Sequence, residues 1–467
     1  MASSKHPTVA VSVAQQIANF ACNLDIEDIP GEVVHEVKRR LIDSMGCAMG
    51  AWVAPPVKIA RQLAGMSASD SGSTIIGTLH RTSPDMAAFA NGTMFRYLDY
   101  NDTYLSKEPA HPSDNFAAIL AVAEAYELTG AHVILGAVVA YEVQCRLCDA
   151  YSIRSRGWDH VTYGAFSTVA GCGATLDMDE ETLVHALGLA GVPNNAMRQT
   201  RVGELSMWKG CAFANASRNG VFATLLAHLG MTGPSQVFEG EMGFFKEVCG
   251  GDTFELPIFG GGNEPFMISK TYVKKYPAEY HSQSAIDAAE QILEERGKRF
   301  TPDEVEEITI ATFTASYEII GGEPEKWRPQ SRETADHSLP YITCAALIDG
   351  AVTLETYEES RYTDESLLSL VAKTRVVEDQ DLNLVYPQGG IPNRVTVRLK
   401  SGEVFEKRVD APSGHALNPM SDGAVEAKFR SMADRMLGTR GSDRALSVMW
   451  ELEDLDDIEE LFQVMLV

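Results

Sequence analysis

The feature that most constrains this chain is a change of hydrophobic periodicity at a run of three glycines. From about residue 8 to 255, apolar residues recur every three or four positions, as Val34, Val37 and Leu41 do, which is the period of a buried helix face. Beyond the glycines at 260–262, apolar and polar residues alternate in segments such as 308–312, which is the period of a strand. Because glycine runs favour turns and hinges, we predict a boundary at this run.

The predicted fold class is a mainly α-helical large domain, a helical bundle, with a smaller α+β lid domain. Residues 1–262 form the helical domain, which the acidic, helical segment 410–467 completes. Residues 263–409 form the α+β domain. Small residues in 164–174 allow helices to approach closely, so we expect a tightly packed bundle.

Within the smaller domain the pattern predicts helices between strands. Helices are expected at 282–297 and 338–349. A strand is expected near 308–312, and alternation resumes at 394–399. A turn at 401–402 then joins that last strand to another, which predicts a hairpin.

Charge and cysteine usage narrow the class of partner and the compartment. The 467-residue chain carries 39 Lys and Arg against 65 Asp and Glu, a formal net charge of −26. Such a surface repels nucleic-acid phosphates and anionic lipid head groups, so we expect neither as a partner. No stretch approaches the length of a membrane span, residues 1–7 lack a secretory signal, and eight scattered cysteines suit reduced thiols. We therefore predict a cytoplasmic protein.

The densest polar cluster lies between two predicted helices, in segments 97–103 and 110–115. It contains Asp99 and His111 together with several hydroxyl and amide side chains. Loops on a rigid scaffold often carry functional residues, so we expect a functional role for Asp99 and His111. Helix capping explains Ser113 and Asp114 equally well.

Two further clusters follow in the helical part. His160 comes after Asp159 and just before a small-residue helix, where backbone N–H groups favour anions, although capping by Asp159 is an equal alternative. Arg198, Arg201 and Lys209 form a local excess of positive charge on an acidic chain. An anion site is one explanation of that excess, and random variation of the surface is the other.

The remaining two clusters lie in the α+β part. Segment 274–283 contains Lys274 and His281, and segment 336–341 ends at Tyr341. Both follow the glycine run, so both could close over a site in the helical domain. With the earlier clusters they offer His, Asp, Lys and Tyr for proton chemistry on a small anion.

Several familiar motifs are absent or weak. Cys145 and Cys148 are spaced as in a metal or redox pair, but they lie within a helical pattern and no second pair follows. An iron–sulfur hydro-lyase would need a third cysteine. No phosphate-binding loop, dinucleotide-binding motif, zinc-protease motif or serine-hydrolase motif is present. The sequence therefore favours chemistry by side chains alone, without a metal or cofactor, in a cleft that excludes water.

Taken in order, these segments resemble the MmgE/PrpD family of lyases. The segments that carry the resemblance are LIDSMGC (41–47), AFANGT (88–93), LDYNDT (98–103), HPSDN (111–115), FEG (238–240), YPAEYHSQ (276–283) and SLPY (338–341). They span about residues 10 to 420. Their joint order is specific, although no one segment is.

The resemblance implies a large helical domain with an α+β lid, a homodimer, and catalysis without metal or cofactor. It implies a hydro-lyase that acts on a small tricarboxylate, by removal of water from 2-methylcitrate in propionate catabolism. The catalytic residues that it implies are Asp99, His111, His160 and Lys209. The substrate-binding residues that we expect are Lys274, His281, Tyr341 and Arg201.

In the implied mechanism, His111 or His160 takes a carbon-bound proton and Asp99 orients that imidazole. Lysines bind the carboxylates, and the other histidine or Tyr341 protonates the departing hydroxyl. Glu279 stands where decarboxylases of the family carry a histidine, which favours dehydration. Decarboxylation of cis-aconitate, epimerisation of an amino-acid derivative, a non-catalytic scaffold and an iron–sulfur hydratase are the alternatives.

Overall fold

The computed structural model describes residues 11–203 and 205–467. Residues 1–7, for which no secretory signal is expected, lie outside the described residues. The first part of the chain is helical, apart from two short strands. Its elements in chain order are α1 (Val13–Asn23), α2 (Gly31–Ala51), α3 (Pro55–Ala64), β1 (Ala68–Thr74), β2 (Arg81–Thr82), α4 (Pro84–Arg96), α5 (Phe116–Ala125), α6 (Gly130–Ala150), α7 (Val161–Thr175), α8 (Glu180–Gly191), α9 (Ala212–His228) and α10 (Phe244–Glu247).

Helices α2 and α7 show how apolar spacing and small residues in the sequence lead to close packing in the core. α2 begins after Pro30, and its periodic apolar residues, including Val37 and Leu41, are fully buried. α7 is buried along its whole length. A Cβ at Gly164 would lie 2.7 Å from the Phe213 ring, so only glycine allows α9 to approach this closely. The expected helix near 34–48 and the close packing of 164–174 are confirmed.

Helix α6 is the one described helix that is long and apolar enough to cross a membrane by length and composition alone. Of its most apolar window, 83 % is buried within the protein. Core helices of this kind pass the same test as membrane spans, so the finding is weak evidence for a span.

The second part contains helices packed on a small mixed sheet. Its elements are α11 (Gln283–Arg296), β3 (Val305–Thr312), α12 (Thr314–Ser316), α13 (Arg332–Ala335), α14 (Leu339–Asp349), α15 (Glu359–Tyr362), α16 (Glu365–Val371), β4 (Thr374–Glu378), α17 (Gln380–Asn383), β5 (Asn393–Leu399) and β6 (Val404–Val409). The strand order is β4-β3-β5-β6, with β3 and β4 parallel and the other two pairs antiparallel. The predicted helices at 282–297 and 338–349 are confirmed, and so is the predicted hairpin, in which Val397 of β5 pairs with Phe405 of β6.

The tail returns to the helical part through α18 (Asp422–Trp450), which turns at Gly438, and α19 (Glu459–Val464). Tail residues between 420 and 465 share one hydrophobic core with the first part of the chain. A second core begins at Tyr276 and contains the sheet. Along the chain, buried apolar residues belong to the first core up to Val273 and to the second core from Tyr276, so the cores change after residue 262. Glu142 of α6 accepts a hydrogen bond from the backbone N–H of Gly260, which holds the glycine run on the first core. The predicted fold class, a mainly helical part with a smaller α+β part, is confirmed.

Candidate active site

The candidate site lies at the turn after α4, where the first core meets the segment that leads into the second. α4 ends at Arg96, and three residues later Asp99 adopts a left-handed backbone conformation with φ of 52°. Aspartate tolerates this conformation better than most residues, but it remains less favourable than for glycine. The turn brings the side chains of Arg96 and Asp99 together in a buried position, and each residue is at most 3 % exposed.

Three cations contact the carboxylate of Asp99. Arg96 Nη1 and Lys274 Nζ lie 2.6 and 2.8 Å from Oδ1, and Lys209 Nζ lies 3.1 Å from Oδ2. Burial by itself would raise the pKa of Asp99, but the three cations outweigh burial and hold that pKa well below its usual range. Asp99 is therefore ionised, and it gathers the predicted residues Lys209 and Lys274 around one point.

The α+β part completes this cluster with Asp336 and His337, just before α14. Lys209 Nζ lies 3.2 Å from His337 Nδ1 and 3.6 Å from Asp336 Oδ1. His337 Nε2 in turn lies 3.5 Å from Asp99 Oδ2. Burial lowers the pKa of His337, and the charge of Lys209 lowers it further. Side chains from both parts of the chain therefore meet at one buried ionic cluster.

The same cluster contains the donor set that comes nearest to a metal site among the described residues. One ligand atom each from Asp99, Asp336 and His337 lie within 4.8 Å of one another. The ammonium group of Lys209 lies beside these atoms and already provides their counter-charge. A divalent ion would have to displace that ammonium, so the donor chemistry fits an internal ion pair better than a metal.

His111 has both ring nitrogens engaged. Nδ1 lies 2.8 Å from the carbonyl oxygen of Asp102, and Nε2 lies 3.0 Å from Arg96 Nη2. Because a guanidinium can only donate, Nε2 accepts, and the proton of the neutral ring is on Nδ1. Burial, together with the charges of Arg96 and Lys274, holds the pKa of His111 well below its usual range. Asp99 reaches His111 only through Arg96, so the expected direct orientation of this imidazole by Asp99 is wrong.

His160 forms a close contact, here called a dyad, with the carboxylate of the residue before it. His160 Nδ1 lies 3.1 Å from Asp159 Oδ1, and Arg201 Nε lies 2.9 Å from the other oxygen, Oδ2. Burial, reinforced by the Arg201 charge, lowers the pKa of His160 to about 3, so the ring is neutral at pH 7. Its Nε2 is buried and has no hydrogen-bond partner within the described part of the chain. Its ring centroid lies 5.9 Å from that of His111.

A second dyad, which is hydrogen-bonded through the ring, joins His281 to Glu279. His281 Nδ1 lies 2.7 Å from Glu279 Oε1, and Glu279 Oε2 accepts from the His281 backbone N–H at 2.8 Å. His281 Nε2 is also buried and without a hydrogen-bond partner in residues 11–203 and 205–467. The backbone N–H of Glu279 donates to the carbonyl oxygen of Asp336 at 2.9 Å, which ties this dyad to the ionic cluster. Burial would raise the pKa of Glu279, but His281, with smaller contributions from His337 and Lys274, lowers it.

Tyr341 and Arg201 each have a partner within the protein. The hydroxyl of Tyr341 donates to the carbonyl oxygen of Thr356 at 2.5 Å, and the ring is fully buried in the second core. Tyr341 lies in the stretch of α14 in which every residue from 339 to 347 is buried, and its contact with substrate stays a prediction. Arg201 contacts Asp159 instead of standing free for an anion.

The cysteine pair is a structural feature of α6. Cys145 and Cys148 are both fully buried, and burial raises the pKa of each thiol well above its usual value. A protonated thiol is a poor metal ligand. The pair therefore packs in the first core.

Arg96 is the site residue that the sequence analysis did not single out. Its spacing of three residues from Asp99 was the available signal, because residues three apart at a helix end face the same side. Asp336 and His337 lay in a noted segment, but nothing in their local pattern favoured them over Tyr341.

Comparison with known proteins agrees with this two-part organisation. The MmgE/PrpD N-terminal domain matches residues 15–257, and the MmgE/PrpD C-terminal domain matches residues 276–454. A 2-methylcitrate dehydratase from Salmonella typhimurium is 30 % identical over 447 residues, which cover 90 % of this chain and 89 % of that protein. A mitochondrial 2-methylcitrate dehydratase from Yarrowia lipolytica is 29 % identical, over 86 % of this chain and 80 % of that protein.

A protein named for a different reaction is also similar. The cis-aconitate decarboxylase of Homo sapiens is 27 % identical over 476 residues, which cover 96 % of this chain and 94 % of that protein. Relatives of both kinds are aligned along almost the whole chain, and the two domain matches account for most of it. The chain is therefore an enzyme of the MmgE/PrpD family.

Proposed function

We propose that this enzyme is a hydro-lyase that removes water from 2-methylcitrate to give 2-methyl-aconitate, as a step of propionate catabolism. The observation that supports the proposal most directly is the pair of histidine–carboxylate dyads, each with a buried, unpartnered Nε2. Elimination of water moves two protons. One leaves carbon, and the other joins the departing hydroxyl, so a base and an acid are both needed.

His160 is suited to be the base. Its ring is neutral at pH 7, because burial and Arg201 lower its pKa, and its Nε2 has a free lone pair when Asp159 holds the proton on Nδ1. Asp159 thus takes the orienting role that the sequence analysis gave to Asp99. His111, with Arg96 on its Nε2, is less free to accept a proton.

His281 is suited to be the acid. Glu279 accepts hydrogen bonds from Nδ1 of the ring and from the backbone N–H, which fixes the orientation of the ring, and in the proposed role a proton on Nε2 passes to the departing hydroxyl. In the proposed reaction His160 Nε2 takes the carbon-bound proton as the carbon–carbon double bond forms. The carbon–oxygen bond breaks, and the hydroxyl leaves as water with the proton of His281.

Charge in the cluster suits a substrate with several carboxylates. Three cations, Arg96, Lys209 and Lys274, lie together here on a chain whose net charge is −26, and they face the carboxylates of Asp99 and Asp336. Arg96 also lies 3.7 Å from Asp114, whose pKa burial raises to about 7. An ammonium has three donors, and Lys274 uses two of them, on the carbonyl and carboxylate oxygens of Asp99. The remaining donors can bind substrate and stabilise the enolate-like charge that develops during proton removal.

Decarboxylation of cis-aconitate is the second candidate, since a relative of similar coverage bears that name. Loss of carbon dioxide requires one protonation of carbon and no protonation of a leaving hydroxyl. Decarboxylation would leave the second dyad without a proton transfer to perform, so the presence of the Glu279–His281 pair favours dehydration.

A substrate panel tests the proposal. The purified protein is incubated with 2-methylcitrate, citrate and cis-aconitate, and the unsaturated product is followed by ultraviolet absorbance while released carbon dioxide is measured. We expect an unsaturated product from 2-methylcitrate without carbon dioxide. Faster carbon dioxide release from cis-aconitate would favour decarboxylation, and no turnover of any of the three would contradict both. The homodimer and the cytoplasmic location stay predictions.

A further inference from the structure

The candidate site is also touched by a lysine from the C-terminal tail. Lys428 lies on α18, more than 300 residues after the Asp99 turn, and its side chain is 3 % exposed. Its Nζ donates to the carbonyl oxygen of Tyr100 at 2.7 Å and lies 3.8 Å from the centre of the Tyr100 ring. The tail therefore contacts the residue that follows Asp99.

The charge of Lys428 is balanced by Asp43 of α2. Lys428 Nζ lies 2.5 Å from Asp43 Oδ1, and Asp43 is fully buried. Burial raises the pKa of Asp43, and Lys428 offsets that rise only in part. A buried ion pair of this kind stabilises a fold little, if at all, compared with an apolar pair of equal shape. Because Lys428 also contacts the carbonyl oxygen of Tyr100, the residue after Asp99, the pair can instead serve to position that turn.

Two lysines hold consecutive carbonyl groups of that turn. Lys274 Nζ donates to the carbonyl oxygen of Asp99 at 2.7 Å, and Lys428 donates to that of Tyr100. The Tyr100 hydroxyl also donates to the carbonyl oxygen of Lys275 at 2.7 Å. The left-handed backbone conformation of Asp99 is less favourable for aspartate than for glycine, so contacts that hold this turn help to keep it in place.

We propose that Lys428 is a positioning residue, which holds the Asp99 turn in its left-handed conformation so that the Asp99 carboxylate meets Arg96, Lys209 and Lys274. The C-terminal helix is then part of the catalytic apparatus without touching substrate. The effect on rate rests on the proposed function, whereas the effect on the turn itself does not.

The test compares a variant that lacks the Lys428–Asp43 pair with a control variant that lacks a different contact between α2 and the tail. In Lys428→Met with Asp43→Asn the ion pair is removed without leaving an unpaired buried charge. Lys38→Met is the control, because Lys38 also ties α2 to the tail, through the Trp450 carbonyl oxygen and Glu453, but does not contact the Asp99 turn.

We expect the double variant to lower kcat for 2-methylcitrate at least tenfold with KM within threefold of wild type. Lys38→Met should lower the unfolding temperature but leave kcat within twofold. Equal kcat in the double variant and the control would overturn the proposal. If the double variant does not fold, Lys428→Arg decides: it keeps the charge but displaces the donor, so kcat should fall at least threefold, and an unchanged kcat overturns the proposal.

Hydrogen exchange separates this proposal from the proposed function. The peptide that covers residues 98–103 should exchange faster in the double variant, or in Lys428→Arg, than in wild type, and should not change in Lys38→Met. This measurement needs no substrate. Faster exchange in an enzyme that does not dehydrate 2-methylcitrate would support the positioning role and contradict only the proposed function. Unchanged exchange would overturn the positioning role itself.

Discussion

The two histidine–carboxylate dyads differ in their ring contact and in their neighbours. Nδ1 of His281 forms a 2.7 Å hydrogen bond with Glu279, whereas Nδ1 of His160 lies 3.1 Å from Asp159 Oδ1, and in both dyads Nε2 is buried without a partner in the described chain. Arg201 Nε donates to Asp159 Oδ1 at 3.2 Å and lies 2.9 Å from Oδ2, whereas the second oxygen of Glu279 accepts from the His281 backbone.

This difference assigns the two proton-transfer roles. The arginine withdraws part of the carboxylate's charge from His160 and adds its own positive field, so burial prevails and the pKa falls to about 3. Glu279 has no arginine among its ion-pair partners in the described residues, and its hydrogen bonds to the ring and to the backbone hold His281 in one orientation. The two histidine–carboxylate pairs can thus take different roles because their neighbours differ.

The largest expected effect comes from removing either imidazole. His160→Gln and His281→Gln should each lower kcat/KM for dehydration by about 10²- to 10⁴-fold, since each removes one of the two proton carriers. Steady-state kinetics at pH 7 with circular dichroism as a check on folding would measure this. Near-normal rates in both variants would contradict the two-dyad mechanism.

Substitutions of the two dyad carboxylates should differ in how much activity they remove. Glu279→Gln removes the carboxylate that accepts hydrogen bonds from the ring and the backbone N–H of His281, so we expect a loss of about 10²-fold in kcat/KM. Asp159→Asn should cost about tenfold, because His160 acts in its neutral form and loses mainly its orientation. Equal losses would show that the two dyads are not specialised.

Arg201 is the residue that makes the dyads unequal, and Arg201→Met tests its role. Removing a positive neighbour makes protonation of His160 easier, so its pKa should rise from about 3 towards the ordinary value of 6.5. The acidic limb of kcat/KM should then move to higher pH, with a loss of about tenfold at pH 5 and little change at pH 8.

Arg198→Met is the matched control for Arg201→Met. Arg198 also lowers the pKa of His160, but its contribution is smaller than that of Arg201. The acidic limb should therefore move less in this variant. An equal shift in both variants would mean that total charge, and not the contact with Asp159, distinguishes the dyads.

The smallest effect is expected at Tyr341, which lies outside both dyads. Tyr341→Phe removes one buried hydrogen bond to Thr356 and should lower the free energy of unfolding by about 1 kcal/mol. Activity should stay within about threefold of wild type. A large fall in kcat without a change in stability would show that Tyr341 takes part in the reaction or in substrate binding.

Helices and strands could be predicted where one periodic face is buried. α2, α11 and the β5–β6 hairpin follow their apolar spacing, because burial of that face decides the local structure. The change of core was harder to place. The glycine run is a good local signal, but the contact of Gly260 with Glu142 depends on the position of α6.

The amino-acid sequence by itself determined the fold class, the family and the segments that supply the site, since these depend on periodicity and on local groups of residues. The tertiary structure decided which side chain in each segment reaches the site: His337 instead of Tyr341, Asp159 instead of Asp99 as the partner of His160, and Lys428 from the tail. The physical reason is that an ion pair or a hydrogen bond depends on distances of about 3 Å between residues far apart in the chain, and these distances are set only when the two cores pack.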